Sequence, residues 1–208
     1  MDDPGPMDAT STPLVPELRT ERLVLRGWRD EDLDTFAAMN ADGEVMRHFP
    51  ATLDRAASDE LAARIRAGWA DGGPSAWALE IPGVAPFVGF VGLLAVGFSA
   101  PFTPAVEVGW RLARAHWGRG YAPEAAVAAL RHGFEVFDLD SIVSFTLPAN
   151  TASQRVMHKI GLRRVADGDF DHPSLPEGHP MRRHVLYRAD RESWTPPAAA
   201  FDAATPGN

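Results

Sequence analysis

The stretch that most constrains the fold of this 208-residue chain runs from residue 106 to residue 133. It opens as a strand, because apolar residues alternate at a period of two from Val106 to Trp110. A loop with two glycines follows at residues 117–122. From Pro123 onwards, apolar residues recur every three or four positions, which is typical of a helix. The stretch therefore predicts a strand, a glycine loop and a helix in direct succession.

The start of this helix lacks a side chain that would cap it. Pro123 suits the first helical position, where its missing N–H has no partner, but the preceding Ala122 is a poor N-cap. The first-turn N–H groups are therefore predicted to be free, and Gly118 and Gly120 let a ligand approach the backbone closely. Free amides and the helix dipole together favour a phosphate. An ordinary strand-to-helix turn, with water on the amides, is the alternative that the loop alone leaves open.

Residues 117–125, W-G-R-G-Y-A-P-E-A, resemble the acyl-CoA-binding motif of the GNAT N-acetyltransferases. That motif reads Gln/Arg-x-x-Gly-x-Gly/Ala, and Gly120 and Ala122 match its last two fixed positions. Trp117 replaces the usual Gln or Arg, as in the RimJ/RimL-like branch, whose pattern W-G-K-G-Y-A-T-E-A is close to this one. T-E-R-L-V-L-R at residues 20–26 also resembles the opening of the enzymes in that branch. The resemblance covers nearly all of the predicted folded unit.

The composition argues against several other classes of protein. The chain has no cysteine, so it has neither disulfides nor thiolate metal ligands. Its net charge of −8 argues against a general nucleic-acid binder and would attract a cationic amine. The acidic first residues show no signal-peptide pattern, and no apolar run approaches the roughly 18 residues of a membrane span. We therefore expect a cytoplasmic protein without a nucleic-acid or membrane partner.

The order of the predicted elements indicates one mixed α/β domain. Residues 1–16 and 195–208 resemble flexible tails in composition, which leaves 17–194 as a single acyltransferase domain. Within it the patterns predict a strand over 18–26, two helices, three strands, the central helix, a strand, a helix capped by Asn150 and two final strands. This α+β arrangement has six or seven mainly antiparallel strands and about four helices, and the GNAT resemblance implies the same fold.

Local signals place some element boundaries within this order. Asp30 is predicted to cap the first helix, and the second helix is predicted to begin near Ser58. Gly89 and Gly92 fall inside the third predicted strand, where they indicate a bulge or a close approach of two backbones.

The resemblance also implies where an acyl-CoA would lie. In the family, the thioester runs along the strand before the glycine loop, which splays from its neighbour and leaves amides free. Carried over to this chain, the amides near Trp110, Arg111 and Leu112 would hold the acyl carbonyl and the pantetheine. The pyrophosphate would lie on the loop that follows Trp117, against the amides of Gly118, Arg119, Gly120, Tyr121 and Ala122. The Arg119 side chain either adds a charged contact or stays a solvated surface residue.

Glu107 is the candidate general base. The acceptor must react as a neutral amine, whereas amine pKa values are roughly 8 at a protein N-terminus and about 10 in lysine, so a base or a water relay is needed. Glu107 lies in an otherwise apolar strand, at a position that the RimJ/RimL-like branch often fills with Glu. Burial there would raise the pKa of its carboxyl group. The alternative is a strand Glu that faces outwards.

The group that protonates the CoA thiolate is less well defined. Many family members use a Tyr in the last helix, at the position where this chain has Met157. Ser153, one turn earlier, would contact the cofactor and donate a proton directly or through water. Asn150 is predicted to cap this helix and, by resemblance, to contact the pantetheine. A thiol pKa near roughly 8.5 makes CoA a tolerable leaving group, so the missing Tyr bears on the mechanism more than on the function.

A long charged loop over residues 167–183 is predicted to line the acceptor site. Three histidines lie in it or beside it, but their spacing fits no standard metal site, so no metal is expected. These histidines are His172, His179 and His184. Four aromatic residues elsewhere are predicted to pack in the core or a hairpin rather than to line the acceptor pocket. They are Trp28, Phe49, Phe98 and Phe102.

The sequence thus predicts an N-acetyltransferase that moves an acetyl group from acetyl-CoA to a primary amine by direct nucleophilic attack. The acceptor is a protein N-terminus or a small-molecule amine. The absent Tyr supports one alternative, a non-catalytic acyl-CoA-binding or regulatory module on the same fold. A nucleotide-phosphate enzyme would need G-x-x-x-x-G-K-[ST], which does not occur. Homodimers are common among relatives, and a dimer is the prior expectation.

Overall fold

The folded chain begins with a hairpin rather than with the single strand predicted over 18–26. In the computed structural model, which describes residues 15–195, β1 (Leu18–Arg19) pairs antiparallel with β2 (Val24–Arg26). Thr20 closes the turn, because its backbone N–H donates to the Leu23 carbonyl over 3.0 Å and its hydroxyl accepts from the Leu23 N–H over 3.0 Å. A side chain that bonds its own backbone in this way interrupts a strand. The predicted tails lie almost entirely outside the described residues.

Two helices follow, α1 (Asp32–Ala41) and α2 (Arg55–Ala70). The predicted Asp30 cap is wrong, because α1 has Glu31 at its N-cap position and no side-chain cap bond. The second helix starts earlier than predicted, with Asp54 accepting from the Ala57 N–H over 2.8 Å. Ser58 is instead fully buried and accepts a hydrogen bond from Asn40 over 2.7 Å, which ties the two helices together.

The remaining elements keep the predicted order, with one short extra strand in the region predicted as a loop. They are β3 (Ala76–Ile81), β4 (Ala85–Ala95), β5 (Val106–Leu112), α3 (Tyr121–Glu135), β6 (Ser141–Thr146), α4 (Thr151–Lys159), β7 (Arg163–Arg164), β8 (Phe170–Asp171) and β9 (Arg183–Asp190). Among the described residues, none of the helices has the length and hydropathy needed to cross a bilayer.

The described strands form one mixed sheet in the order β1-β2-β3-β4-β5-β6-β9-β7, with β8 on β9. Every pairing is antiparallel except that of β5 with β6, which confirms the predicted mixed and mainly antiparallel fold. The strand number exceeds the predicted six or seven because several strands are only two residues long. β5 and β6 share a single register pair, Glu107 with Val143, so the sheet opens as a V beyond that point.

The two faces of the sheet pack against different helices. On one face, Val108 and Leu112 pack with α3 in the largest apolar cluster. On the other face, Phe36 of α1 and Ile65 of α2 pack with Phe90 of β4. Because successive side chains of a strand point to opposite faces, the odd-numbered positions of β5 lie on the α1 side.

Gly89 and Gly92 mark a close approach of backbones, as predicted. A Cβ at Gly92 would lie inside the van der Waals distance of the Ala76 Cα, on the neighbouring β3. A Cβ at Gly89 would clash with the Arg111 carbonyl oxygen, and Gly89 has a φ of +142°. The register of β4 against both neighbours therefore needs glycine at these positions.

We predict that Gly92→Ala lowers the free energy of unfolding by about 1–3 kcal/mol, because the added methyl group forces β3 and β4 apart. Chemical denaturation measures the change. Gly97→Ala is the matched control, since a Cβ at this exposed position meets nothing within 4 Å. Equal denaturation midpoints for the two variants would show that the β3–β4 register is wrong.

Candidate active site

A cavity of about 790 Å³ opens in the V between β5 and β6. Its lining comes from β5, the glycine loop, the first turns of α3 and α4, the α1–α2 connection and the loop before β9. Most of the predicted site residues lie along it, namely Glu107, Trp110, Arg111, Leu112, Trp117, Gly118, Gly120, Tyr121, Ala122, Asn150 and Ser153. Arg119 is not part of the lining. The fold thus brings together residues from widely separated parts of the chain.

The glycine loop ends earlier than predicted, and the helix begins at Tyr121 instead of Pro123. Gly120 is the N-cap, with a left-handed φ of +83° and no side chain to cap the helix. Gly118 is also left-handed, with a φ of +74°. These two residues complete the turn before Ala122, so the predicted N-cap position at Ala122 is wrong, whereas a helix start without a side-chain cap is confirmed. Pro123 then lies within the first turn, where its missing N–H still costs no helical hydrogen bond.

The loop presents a run of unpaired backbone donors. Among the described residues, no protein acceptor receives a hydrogen bond from the N–H groups of residues 118–122. The first bond of the helix runs from the Glu124 N–H to the Gly120 carbonyl over 3.2 Å. Unpaired N–H groups at a helix N-terminus form an anion site, so the loop fits the diphosphate of a CoA.

Two hydrogen bonds fix the direction in which the peptide groups of β5 point. The Ala113 N–H donates to the Val88 carbonyl of β4 over 2.9 Å, and the Ser144 hydroxyl of β6 donates to the Val108 carbonyl over 2.9 Å. By strand alternation, the N–H groups of Trp110 and Leu112 point into the V, whereas that of Arg111 points to β4. This geometry does not favour the predicted amide contact of Arg111, whose side chain faces the cavity instead.

Glu107 carries a half-buried carboxyl group on the cavity wall. Among the described residues it has no hydrogen-bond or ion-pair partner, and burial raises the pKa of the carboxyl group from 4.5 to about 8. Its Oε1 leans over Gly109, where a Cβ would lie only 3.9 Å away. These facts do not support the alternative of an outward-facing, solvated Glu.

Asn150 caps α4 as predicted and orients Ser153. Its Oδ1 accepts from the Ser153 N–H over 3.2 Å, and its Nδ2 donates to the Ser153 hydroxyl over 3.1 Å and to Thr146 over 2.8 Å. Because the Ser153 oxygen accepts this bond, its own proton stays available to the cavity. Met157, one turn later, adds only an apolar side chain. Tyr187 does not replace the missing Tyr, since its hydroxyl bonds Gln154 and is not part of the lining.

Glu124 and Arg22 form a clamp on the glycine loop that sequence reasoning missed. The Glu124 carboxylate is fully buried in the first turn of α3, where it accepts from the Thr20 hydroxyl over 2.5 Å and from the Arg22 backbone N–H over 2.9 Å. The Arg22 guanidinium pairs with the same carboxylate over 2.6 Å and donates to the Arg119 carbonyl over 2.9 Å. Arg22 lies in the T-E-R-L-V-L-R motif and Glu124 in the W-G-R-G-Y-A-P-E-A motif. The two residues are 102 positions apart in the sequence, so neither motif alone indicates their contact.

The aromatic and histidine predictions are met in part. Trp28 packs in the α1–α2 cluster, and Phe98 and Phe102 pack around β8, as predicted. Phe49 is different, because its ring is 39% exposed and lines the cavity. His172 and His184 line the cavity with ring centroids 5.2 Å apart, whereas His179 does not. Burial lowers the pKa of both cavity histidines.

We predict that Gly120→Ala weakens binding of CoA about tenfold or more, measured by calorimetry. A left-handed φ costs an alanine about 1–2 kcal/mol. The new Cβ would also lie 3.2 Å from the Arg22 Nη2, so the guanidinium that holds the Arg119 carbonyl must shift. Gly83→Ala is the matched control, because Gly83 has a similar φ of +72° in an open turn away from the cavity. If both variants bind CoA as the parent does, the loop is not the diphosphate site.

Comparison with known proteins identifies the family. Residues 22–163 match the acetyltransferase (GNAT) domain. The uncharacterized protein YkkB of Bacillus subtilis is 33% identical over 147 residues, which are 70% of this chain and 84% of that protein. The FsC-acetyl coenzyme A-N(2)-transacetylase of Aspergillus fumigatus is 29% identical over 195 residues, 86% of this chain and 78% of that enzyme. A GNAT-family acetyltransferase from Bacillus anthracis superposes with a TM-score of 0.70 at 26% identity, covering 85% of this chain and 99% of that one. The chain belongs to the GNAT family and is an acyl-CoA-dependent acyltransferase.

Proposed function

We propose that this enzyme transfers an acetyl group from acetyl-CoA to a primary amine by direct attack of the amine on the thioester. The observation that carries the proposal is the presence, in one cavity, of unpaired backbone donors and a half-buried carboxyl group of raised pKa. The name of the Aspergillus relative, which records transacetylation at N(2), supports transfer to nitrogen.

Backbone donors would hold the acetyl-CoA. The N–H groups of residues 118–122 are free for the diphosphate, and those of Trp110 and Leu112 point into the V, beside the path of the pantetheine. Bound acetyl-CoA supplies the activated acyl group. A backbone N–H directed at the thioester carbonyl stabilises the negative charge that develops on its oxygen, an effect of about 3–4 kcal/mol per donor.

Glu107 would take the proton from the attacking amine. A carboxylate with an ordinary pKa is too weak a base for an ammonium group, and burial brings the pKa of Glu107 to about 8, close to that of the amine. The proton that leaves the amine thus passes to a group of matched basicity. Ser153, whose hydroxyl proton is free, would pass a proton to the departing thiolate directly or through water and take one back from solvent.

The acceptor is a protein N-terminus or a small amine, and the motif W-G-R-G-Y-A-P-E-A supports the RimJ/RimL-like branch.

The second candidate function is a non-catalytic acyl-CoA-binding module, which the apolar Met157 in the usual Tyr position favours. Release of CoA in the presence of amines and peptides separates the two functions. Tight binding of acetyl-CoA without amine-dependent release would support the module and contradict the enzyme. The homodimer and the cytoplasmic location remain predictions.

We predict that Glu107→Gln lowers kcat/KM about 100-fold or more at pH 8. In the parent, the titration of Glu107 near pH 8 adds to that of the amine, so the rate rises steeply with pH through 8, because only the ionised carboxylate accepts a proton. The variant loses this dependence and keeps only the titration of the amine itself. Glu60→Gln, an exposed change on α2, is the control for loss of one negative charge. A full rate in Glu107→Gln would show that Glu107 is not the base.

A stability profile shows whether Glu107→Gln acts through folding. The pKa of Glu107 is about 8 when folded and near 4.5 when unfolded, so the folded state holds this proton more tightly. Its contribution to stability is therefore complete below about pH 4.5 and is lost as the pH rises through 8. Glu107→Gln should accordingly be the more stable protein above pH 8, and a slower but more stable variant excludes unfolding as the cause.

A further inference from the structure

The Arg111 side chain is a cation on the cavity wall without a counter-ion. It is half-buried, and it makes no ion pair with any residue that the structure describes. Its Nε is buried without a hydrogen-bond partner in the same part of the chain. Arg26 shows how this fold treats a structural arginine, because its buried guanidinium pairs with Asp32 and Glu80, each over 2.8 Å. Arg111 thus lacks what a purely structural arginine has.

An unpaired charge that is withdrawn from water is destabilising. Burial lowers the pKa of Arg111 to about 10, so the guanidinium still carries its charge near neutral pH. The cavity therefore maintains a positive charge that no described side chain neutralises. Such an arrangement favours an anion that arrives with a ligand.

Neutral groups hold the guanidinium in place. The Arg111 Nη1 donates to the Asn40 Oδ1 over 2.6 Å, and Asn40 is fully buried and held in turn by Ser58 over 2.7 Å. The guanidinium lies 4.3 Å from the ring centroid of Phe49 and 5.5 Å from that of Phe90. These contacts use only one donor, and Nε is buried, so the donors left for a ligand are those of the two Nη atoms. These N–H groups form a fork that suits the two oxygens of a carboxylate.

One face of β5 connects the Arg111 guanidinium with Glu107, the proposed base. Glu107, Gly109 and Arg111 are alternate residues of β5, so all three face the α1 side. Gly109 adds no side chain between the two charged positions, which leaves a continuous path over the strand. An acceptor lying along β5 would place its amine near Glu107 and its other end at Arg111. The CoA diphosphate has its own donors in residues 118–122.

We infer that Arg111 binds a carboxylate group of the acceptor, so that the substrate class of this cavity is amines that carry a carboxylate. The inference rests on the proposed function. The carboxylate belongs either to a free amino acid or to an acidic residue of a peptide, and both present the same group to the fork.

The test compares matched acceptors by CoA release. The first arm pairs 6-aminohexanoate with its primary amide, which keeps the amine and removes the charge. The second arm pairs peptides that differ only by Asp or Asn at the second position. We expect the acid of at least one pair to have a kcat/KM about tenfold or more above that of its amide, mainly through a lower KM. The arm that shows the preference identifies the source of the carboxylate.

Variants test whether the Arg111 guanidinium causes the preference for the acid over the amide. Arg111→Gln should bring acid and amide within about twofold of each other, and Arg111→Lys should retain only part of the preference, because an ammonium group lacks the fork. Asn40→Asp places a counter-ion beside the intact guanidinium and should also reduce the preference. Arg64→Gln, an exposed change on α2, is the control for lost charge and should keep the preference.

The possible results separate this inference from the proposed function. Equal rates for acid and amide in the parent would overturn the inference and leave the acetyltransferase intact. Weaker CoA binding in Arg111→Gln with an unchanged acid preference would also overturn it, because Arg111 would then serve the cofactor.

If no amine is turned over, the proposed function fails, and calorimetry of the same acids and amides in the presence of CoA still decides the inference. Tighter binding of the acids, lost in Arg111→Gln, supports it, and equal binding contradicts it.

Discussion

β5 pairs with β4 along its whole length but meets β6 at only one register position. The cavity exists because the two strands separate beyond this single pair. β6 instead pairs along its whole length with β9, so each wall of the V is held by its outer neighbour. α3 packs against one face of β5, which covers the sheet behind the opening. The N–H groups of Trp110 and Leu112 are thus left without a strand partner by the topology, and a ligand that lies in the V can use them.

Unpaired donors are unfavourable unless something else fixes the backbone that carries them. In the glycine loop this role belongs to Glu124, whose buried carboxylate holds the β1–β2 turn through Thr20 and Arg22. Arg22 then binds the carbonyl of Arg119, so the loop is held by its C=O group and not by its N–H groups. The clamp therefore leaves the donors free while it limits their motion. Pre-organisation of this kind lowers the ordering cost of binding.

Local signals predicted the parts of the site that depend on neighbouring residues. The strand, the two glycines and the free helix start follow from residues 106–123, and Asn150 follows from cap chemistry. The helix start was misplaced because two left-handed glycines complete the turn before Pro123, and this conformation is not encoded by the cap residues alone. The first hairpin was missed because one residue, Thr20, closes the turn through its backbone N–H and its hydroxyl.

Long-range contacts explain what the sequence did not reveal. The burial of Glu107 followed from an apolar strand, but the sequence did not show that its carboxyl group lacks a partner among the described residues. Arg111 was predicted to bind the cofactor through its backbone N–H. Its side chain, which faces the cavity, is positioned by Asn40, 71 residues away in the sequence. Phe49 was predicted to pack in the core or a hairpin. It lies on the cavity wall instead, because the α1–α2 connection that carries it forms part of the cavity lining.

In this enzyme, we propose, main-chain N–H groups of β5 and the glycine loop hold the CoA. Amide chemical shifts in a 15N-labelled protein, followed during a titration with CoA, test this binding mode most directly. We expect large shifts at Trp110, Leu112 and residues 118–122, with small shifts at the β3–β4 turn around Gly83. Saturable binding of CoA that leaves the amides of residues 118–122 unshifted would contradict it.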